Sequence, residues 1–135
     1  MHDHDAPIDA LRRALLVALP AACLADAAHA QDAAAVQPRS YRVVLENDTL
    51  RVVEFVSRPG LGICGSGMHS HPAHLTVALT PAKVRVRLPD GTTMVVENKT
   101  GDVFWSAAET HETENLTGRN VRALIVEVKQ PPGKA

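Results

Sequence analysis

Residues 83–88 alternate without a break: Val84, Val86 and Leu88 fall on one face, Lys83, Arg85 and Arg87 on the other. A period of two places successive side chains on opposite sides of a pleated strand. The valine face is therefore expected to meet a core and the basic face water. Similar short stretches recur. In residues 41–46, Tyr41, Val43 and Leu45 share a face, and residues 50–57 are rich in valine. Further strands are expected over residues 69–80 (bent near Pro72), 92–97, 103–105, 111–116 and 121–129. Turn-forming residues punctuate them at Asn47-Asp48, Arg58-Pro59-Gly60, Pro89-Asp90-Gly91, residues 98–102 and Thr117-Gly118-Arg119-Asn120. Residues 60–67 hold four glycines and read as a loop. About eight short strands with no helical period predict an all-β sandwich or barrel. Closing the sheet would remove edges that a small β domain must protect.

The first thirty residues have a different pattern. Arg12 and Arg13 precede an apolar, Ala- and Leu-rich stretch, and Ala28-His29-Ala30 follows it. That order is the layout of a cleavable export signal helix. Pro20 and Asp26 interrupt the stretch, so it makes a poor membrane span. Arg12-Arg13 also loosely matches a twin-arginine signal, and Pro20-Ala21-Ala22-Cys23 a lipoprotein cleavage box with proline where leucine is expected. The expected organisation is a leader over residues 1–30, a loose linker over 31–40, a β-barrel over 41–129 and a tail over 130–135. The mature protein is expected in the periplasm, with no stable membrane insertion once the leader is removed.

Length and charge narrow the partners. The chain has 135 residues, enough for one compact domain. Its 14 Lys and Arg nearly balance its 15 Asp and Glu, so no basic stripe attracts phosphate backbones. Aromatics are only 3% of residues, too few for a base-stacking platform. Nucleic acid is not an expected partner. After removal of the leader Cys64 is the lone cysteine, which excludes an internal disulfide.

The same cut leaves four histidines: His69, His71, His74 and His111. They occupy just two short segments. Alternation puts His69 and His71 on one face, close enough to grip one ion. His111 opens a later strand that a barrel can bring beside them. Three imidazoles would leave other coordination positions open, as a catalytic site requires. Imidazole suits several divalent transition metals, and the residues do not choose among Fe, Mn, Zn, Ni and Cu.

Two segments resemble the motifs of the cupin family. His69-Ser70-His71-Pro72, preceded by glycines, resembles the first motif. Gly101-Asp102-Val103, followed by His111 and Asn115, resembles the second. Pro89-Asp90-Gly91 fits the hairpin between them, and Ala123-Leu124-Ile125-Val126-Glu127 is similar to the closing strand of small bacterial cupins. The resemblance spans residues 41–129. It implies a jelly-roll β-barrel with a metal held by His69, His71 and His111, a small molecule in the barrel, and pairing through outer strands into a homodimer. It is poorly specific for activity, because the fold hosts oxygenases, isomerases, decarboxylases and non-catalytic binders.

The departures matter. The family's glutamate ligand would fall on Leu75 or Thr76, and neither is acidic. His74 is the candidate replacement if the strand bends at Pro72-Ala73; under strict alternation it points away. Ala107-Ala108-Glu109-Thr110 replaces the usual Pro- and Gly-containing approach to the second histidine and is one residue shorter. Glu109, on that approach, is a candidate base or ligand-orienting group. Glu112 and Glu114 are expected on the surface, as are Arg85 and Arg87. Met68 and Trp105 are expected to pack in or around the barrel, and Met68, Phe55 and Phe104 are candidates to line its cavity. The expected function is an exported metal-binding cupin, either a small metalloenzyme of oxygenase or isomerase type or a non-catalytic small-ligand or metal-binding module.

Overall fold

The computed structural model describes residues 31–60 and 67–130. The expected leader, the glycine loop with Cys64 and the end of the tail lie outside the described residues. Among these residues no helix is long and apolar enough to cross a membrane.

A single helical turn, α1 (Ala33–Val36), precedes nine strands: β1 (Tyr41–Glu46), β2 (Leu50–Ser57), β3 (His69–His71), β4 (His74–Ala78), β5 (Ala82–Arg87), β6 (Thr93–Asn98), β7 (Val103–Ser106), β8 (Glu109–Asn115) and β9 (Val121–Val128). They form two sheets in the orders β1-β2-β9-β4-β7 and β3-β8-β5-β6. Every pairing between these strands is antiparallel.

There are nine strands rather than eight because the stretch expected over residues 69–80 is cut in two. Pro72 has no N–H to give to a ladder, so pairing stops there. β3 pairs with β8 in one sheet, and β4 pairs with β7 and β9 in the other. The chain thus changes sheets across Pro72-Ala73. Alternation restarts at His74, which therefore faces the interior, alongside Thr76 and Ala78.

Elsewhere the period of two is kept. Val121, Ala123 and Ile125 of β9 meet Val53 and Phe55 of β2 and Tyr41 in the core. Val84, Val86 and Leu88 line the space between the sheets, as their alternation requires. The β5–β6 hairpin turns at Pro89-Asp90-Gly91. Gly91 adopts a φ of 86° there, and the Asp90 side chain accepts the Thr92 N–H at 2.8 Å.

Four expectations are corrected. The expected face of β1 is not buried along its length: Tyr41 is buried, but Val43, Val44 and Leu45 are exposed on this edge strand, whose register with β2 also shifts between Val43 and Leu45. Glu112 is buried rather than exposed, because the β5–β8 register sets it opposite Arg87, with which it pairs. Glu114 pairs in the same way with Arg85 at 2.5 Å, so neither arginine is simply solvated. Trp105 does not pack in the barrel. It sits on the edge strand β7 and is 58% exposed.

The segment expected to be a loose linker is also built into the fold. Ala33 is 1% exposed within the core. Asp32 bridges to Ser70 of β3 and ion-pairs with Arg51 of β2, and the Gln31 carbonyl accepts the Ser70 N–H at 2.8 Å. Residues 31–37 act as a strap across one end of the barrel.

Candidate metal centre

The antiparallel register of β3 and β8 places His69 directly opposite His111, and His71 opposite Glu109. Directly opposed side chains in such a pair are near neighbours. The rings of His69 and His71 are 4.9 Å apart, those of His69 and His111 4.9 Å, and those of His71 and His111 5.3 Å. All three residues are buried, and one ligand atom from each lies within 4.8 Å of the others. These are the three histidines that the spacing of the sequence singled out.

The rings of His69 and His71 are each oriented by a partner. The Nδ1–H of His69 donates to the Gly67 carbonyl at 2.5 Å. Gly67 has a φ of 74°, a conformation that would strain any other residue, so glycine is favoured for presenting this carbonyl. Burial, reinforced by the neighbouring His111 and His71, pushes the His69 pKa down to about 3. The ring is therefore neutral near pH 7, and its Nε2 carries a bare lone pair. The Tyr41 hydroxyl donates to that lone pair at 2.8 Å. His71 is likewise pushed down by burial, partly opposed by Glu127. Its Nδ1–H donates to Glu127 Oε1 in a long 3.4 Å bond, which turns Nε2 toward the cluster. His111 Nδ1 is buried with no hydrogen-bond partner among the described residues. A bound cation would satisfy that orphaned atom. Three converging imidazoles, two of them held neutral by burial, form a chemically suitable donor set for a divalent transition metal.

Glu127 and its support escaped the sequence reading. It is the last inward residue of β9, in phase with Ile125, and is 2% exposed. Arg51 Nε donates to its other oxygen at 2.6 Å, and the same guanidinium grips Asp32 of the strap. The Asp32 contact, followed by Glu127, raises the Arg51 pKa further above its already high value, so its charge is permanent. A charged residue on the apolar phase of a strand was the available signal.

His74 comes inward and stacks near His71, with ring centroids 5.1 Å apart. Its Nδ1–H donates to the Pro72 carbonyl at 2.7 Å, and its Nε2 lies 3.4 Å from Glu109 Oε1. It is not part of the three-atom group and sits on the cavity side. Glu109 Oε1 also lies 3.5 Å from His111 Nδ1. The His111 imidazole holds the Glu109 carboxyl below the usual range, against the cost of burial. Asn115 makes no approach to the cluster. Its amide donates to the carbonyls of Ser57 and Arg119 and locks the turn after β8.

The cluster ends a cavity of about 300 Å³ between the sheets. His71, His74, His111 and Glu109 form its polar wall. The rest is mostly aliphatic, with Phe55 and Phe104 contributing as expected and Met68 absent from the lining. A small, mainly apolar pocket with convergent polar groups at one end is a usual ligand-site design.

No family model matches the sequence, and no curated protein matches it. Solved structures do. A cupin domain from Bordetella pertussis superposes with a TM-score of 0.58 at 19% identity, covering 67% of this chain and 92% of that one. A cupin protein from Bacteroides fragilis gives 0.48 at 16% identity, over 71% and 81% of the two chains. A cupin-2 domain protein from Shewanella frigidimarina gives 0.45 at 12%, over 67% and 80%. The two-sheet barrel places this chain in the all-β jelly-roll class. Within that class it is a small cupin-fold protein, as the two motifs implied.

Proposed function

We propose that the protein is an exported metal-binding cupin that handles a small molecule in its barrel, as a small metalloenzyme of oxygenase or isomerase type. The observation that carries the reading is the convergence of three buried imidazoles, one with an orphaned Nδ1, at the end of an apolar cavity. His69, His71 and His111 would hold the ion, with His74 on the cavity side as the candidate fourth ligand. A bound divalent transition metal supplies Lewis-acid activation of a carbonyl, of water or of dioxygen. Glu109 stands at the cavity wall, where it can take or return a proton.

A non-catalytic ligand- or metal-binding module is the second reading. Leu75 and Thr76, in the positions where the family carries its glutamate, favour it.

Metal content decides the common part. The purified protein, freed of any affinity tag, is expected to retain about one transition-metal ion, and His69→Ala and His111→Ala are expected to lose it. Equal metal in wild type and variants would defeat the cluster. Oxygen uptake and substrate depletion on a panel of small metabolites then separate enzyme from binder. Export is tested by fractionation and by the N-terminal residue of the secreted form, expected to be Gln31. Sedimentation tests the homodimer.

A further inference from the structure

We infer that Tyr41 is itself a donor to the metal, its phenolate oxygen standing in for the carboxylate missing after the first histidine pair. This inference rests on the metal-binding reading above. His69 has committed Nδ1 to the Gly67 carbonyl, so Nε2 is the atom left to ligate. The Tyr41 oxygen already lies 2.8 Å along that lone pair. An ion bound at Nε2 would take the place of the hydroxyl proton, with the phenol oxygen moving off the lone-pair axis to lie beside it.

Tyr41 is not free to swing clear. It is 3% exposed and opens β1. Its ring stacks on Phe55 at 4.9 Å and lies 4.7 Å from the His69 ring and 5.3 Å from the His71 ring. It also lines the cavity. Packed on these sides, the side chain keeps its oxygen beside the cluster. On coordination the O–H bond breaks, its electron pair goes to the metal and its proton to solvent. One negative charge then enters a site whose three histidine donors bring none. That is the charge a glutamate would have brought.

Tyr41 is the sole tyrosine among the 135 residues, which makes the test direct. Metal-free wild-type protein is loaded with one equivalent of ferric iron. A visible phenolate-to-iron charge-transfer band is expected, and resonance Raman excitation into it should enhance tyrosine ring modes. In Tyr41→Phe the band should vanish and iron affinity fall by roughly tenfold or more, the loss that even outer-sphere residues cause. The wild-type spectrum stands alone if that variant folds poorly. His71→Ala is the control for the cluster. Iron held in a His71-dependent way without a phenolate band overturns the role of Tyr41 and leaves the histidine site intact. No iron above the level of His71→Ala overturns both.

Discussion

At the scale of single residues, the site stores a pH dependence. Burial holds His69 and His71 below their ordinary pKa of 6.5, His69 at about 3. In the unfolded chain both would take up protons as the pH falls past that value. The unfolded state then binds more protons than the folded one, so stability rises with pH and is lost on acidification. His69 is expected to cost the metal-free protein about 1.4 kcal/mol per pH unit below about pH 6.5, and His71 to act in the same direction. Thermal melts between pH 7 and 5 check this in a window where carboxylates scarcely titrate. A flat melting temperature there, or one unchanged in slope by His69→Gln, would contradict neutral buried imidazoles. The shared face of His69 and His71 was legible in the sequence because H-x-H on a strand needs only a period of two, while His111 joins them through the β3–β8 register. His74 was not. Its direction depends on the chain changing sheets at Pro72-Ala73, which alternation alone cannot supply. Tyr41 and Glu127 were passed over for another reason. Each lies far from the histidines in sequence, and only the packing of β1 and β9 against β3 gives them a role.

At the scale of elements, local signals fared best where one strand or hairpin decided the outcome. The β5 alternation and the Pro89-Asp90-Gly91 turn needed no distant partner. The register shift in β1 and the burial of Glu112 were invisible, since each is set by the neighbouring strand. The strap was missed because its residues are small and polar, with little periodicity to read. Its contribution can be measured. A variant lacking residues 31–37 loses the burial of Ala33 and the Asp32 contact to Arg51. Together these are worth roughly 2 kcal/mol. For a domain of this size that is a melting temperature lower by about 8–16 °C. A loose linker would leave the melt unchanged. Metal retention should also weaken in this variant, because Arg51 would orient Glu127, and through it His71, without its anchor.

At the scale of the whole molecule, the barrel interior is divided along its axis. One end gathers Tyr41, the histidines, Glu109 and the Arg51–Glu127 pair; the cavity beyond is walled by residues such as Val84, Val86 and Val96. Most of the remaining lining of this space of about 300 Å³ is apolar, so it offers mainly dispersion contacts. Such a space favours a ligand with an apolar body and one polar end to meet the metal. The two halves should then be separable by mutation. Val84 lines the cavity in register with Asn115, four residues along β8 from His111. Val84→Trp is expected to fill the apolar half at an overpacking cost of about 1–3 kcal/mol while leaving metal content unchanged. Small apolar probes such as benzene should raise the melting temperature of the wild type, by about 2.7 kcal/mol of stabilisation at a hundredfold excess over the dissociation constant. They should leave Val84→Trp unmoved. A variant stabilised as strongly as the wild type would place the ligand elsewhere. A variant that lost its metal would show that the two ends of the barrel are one cooperative site.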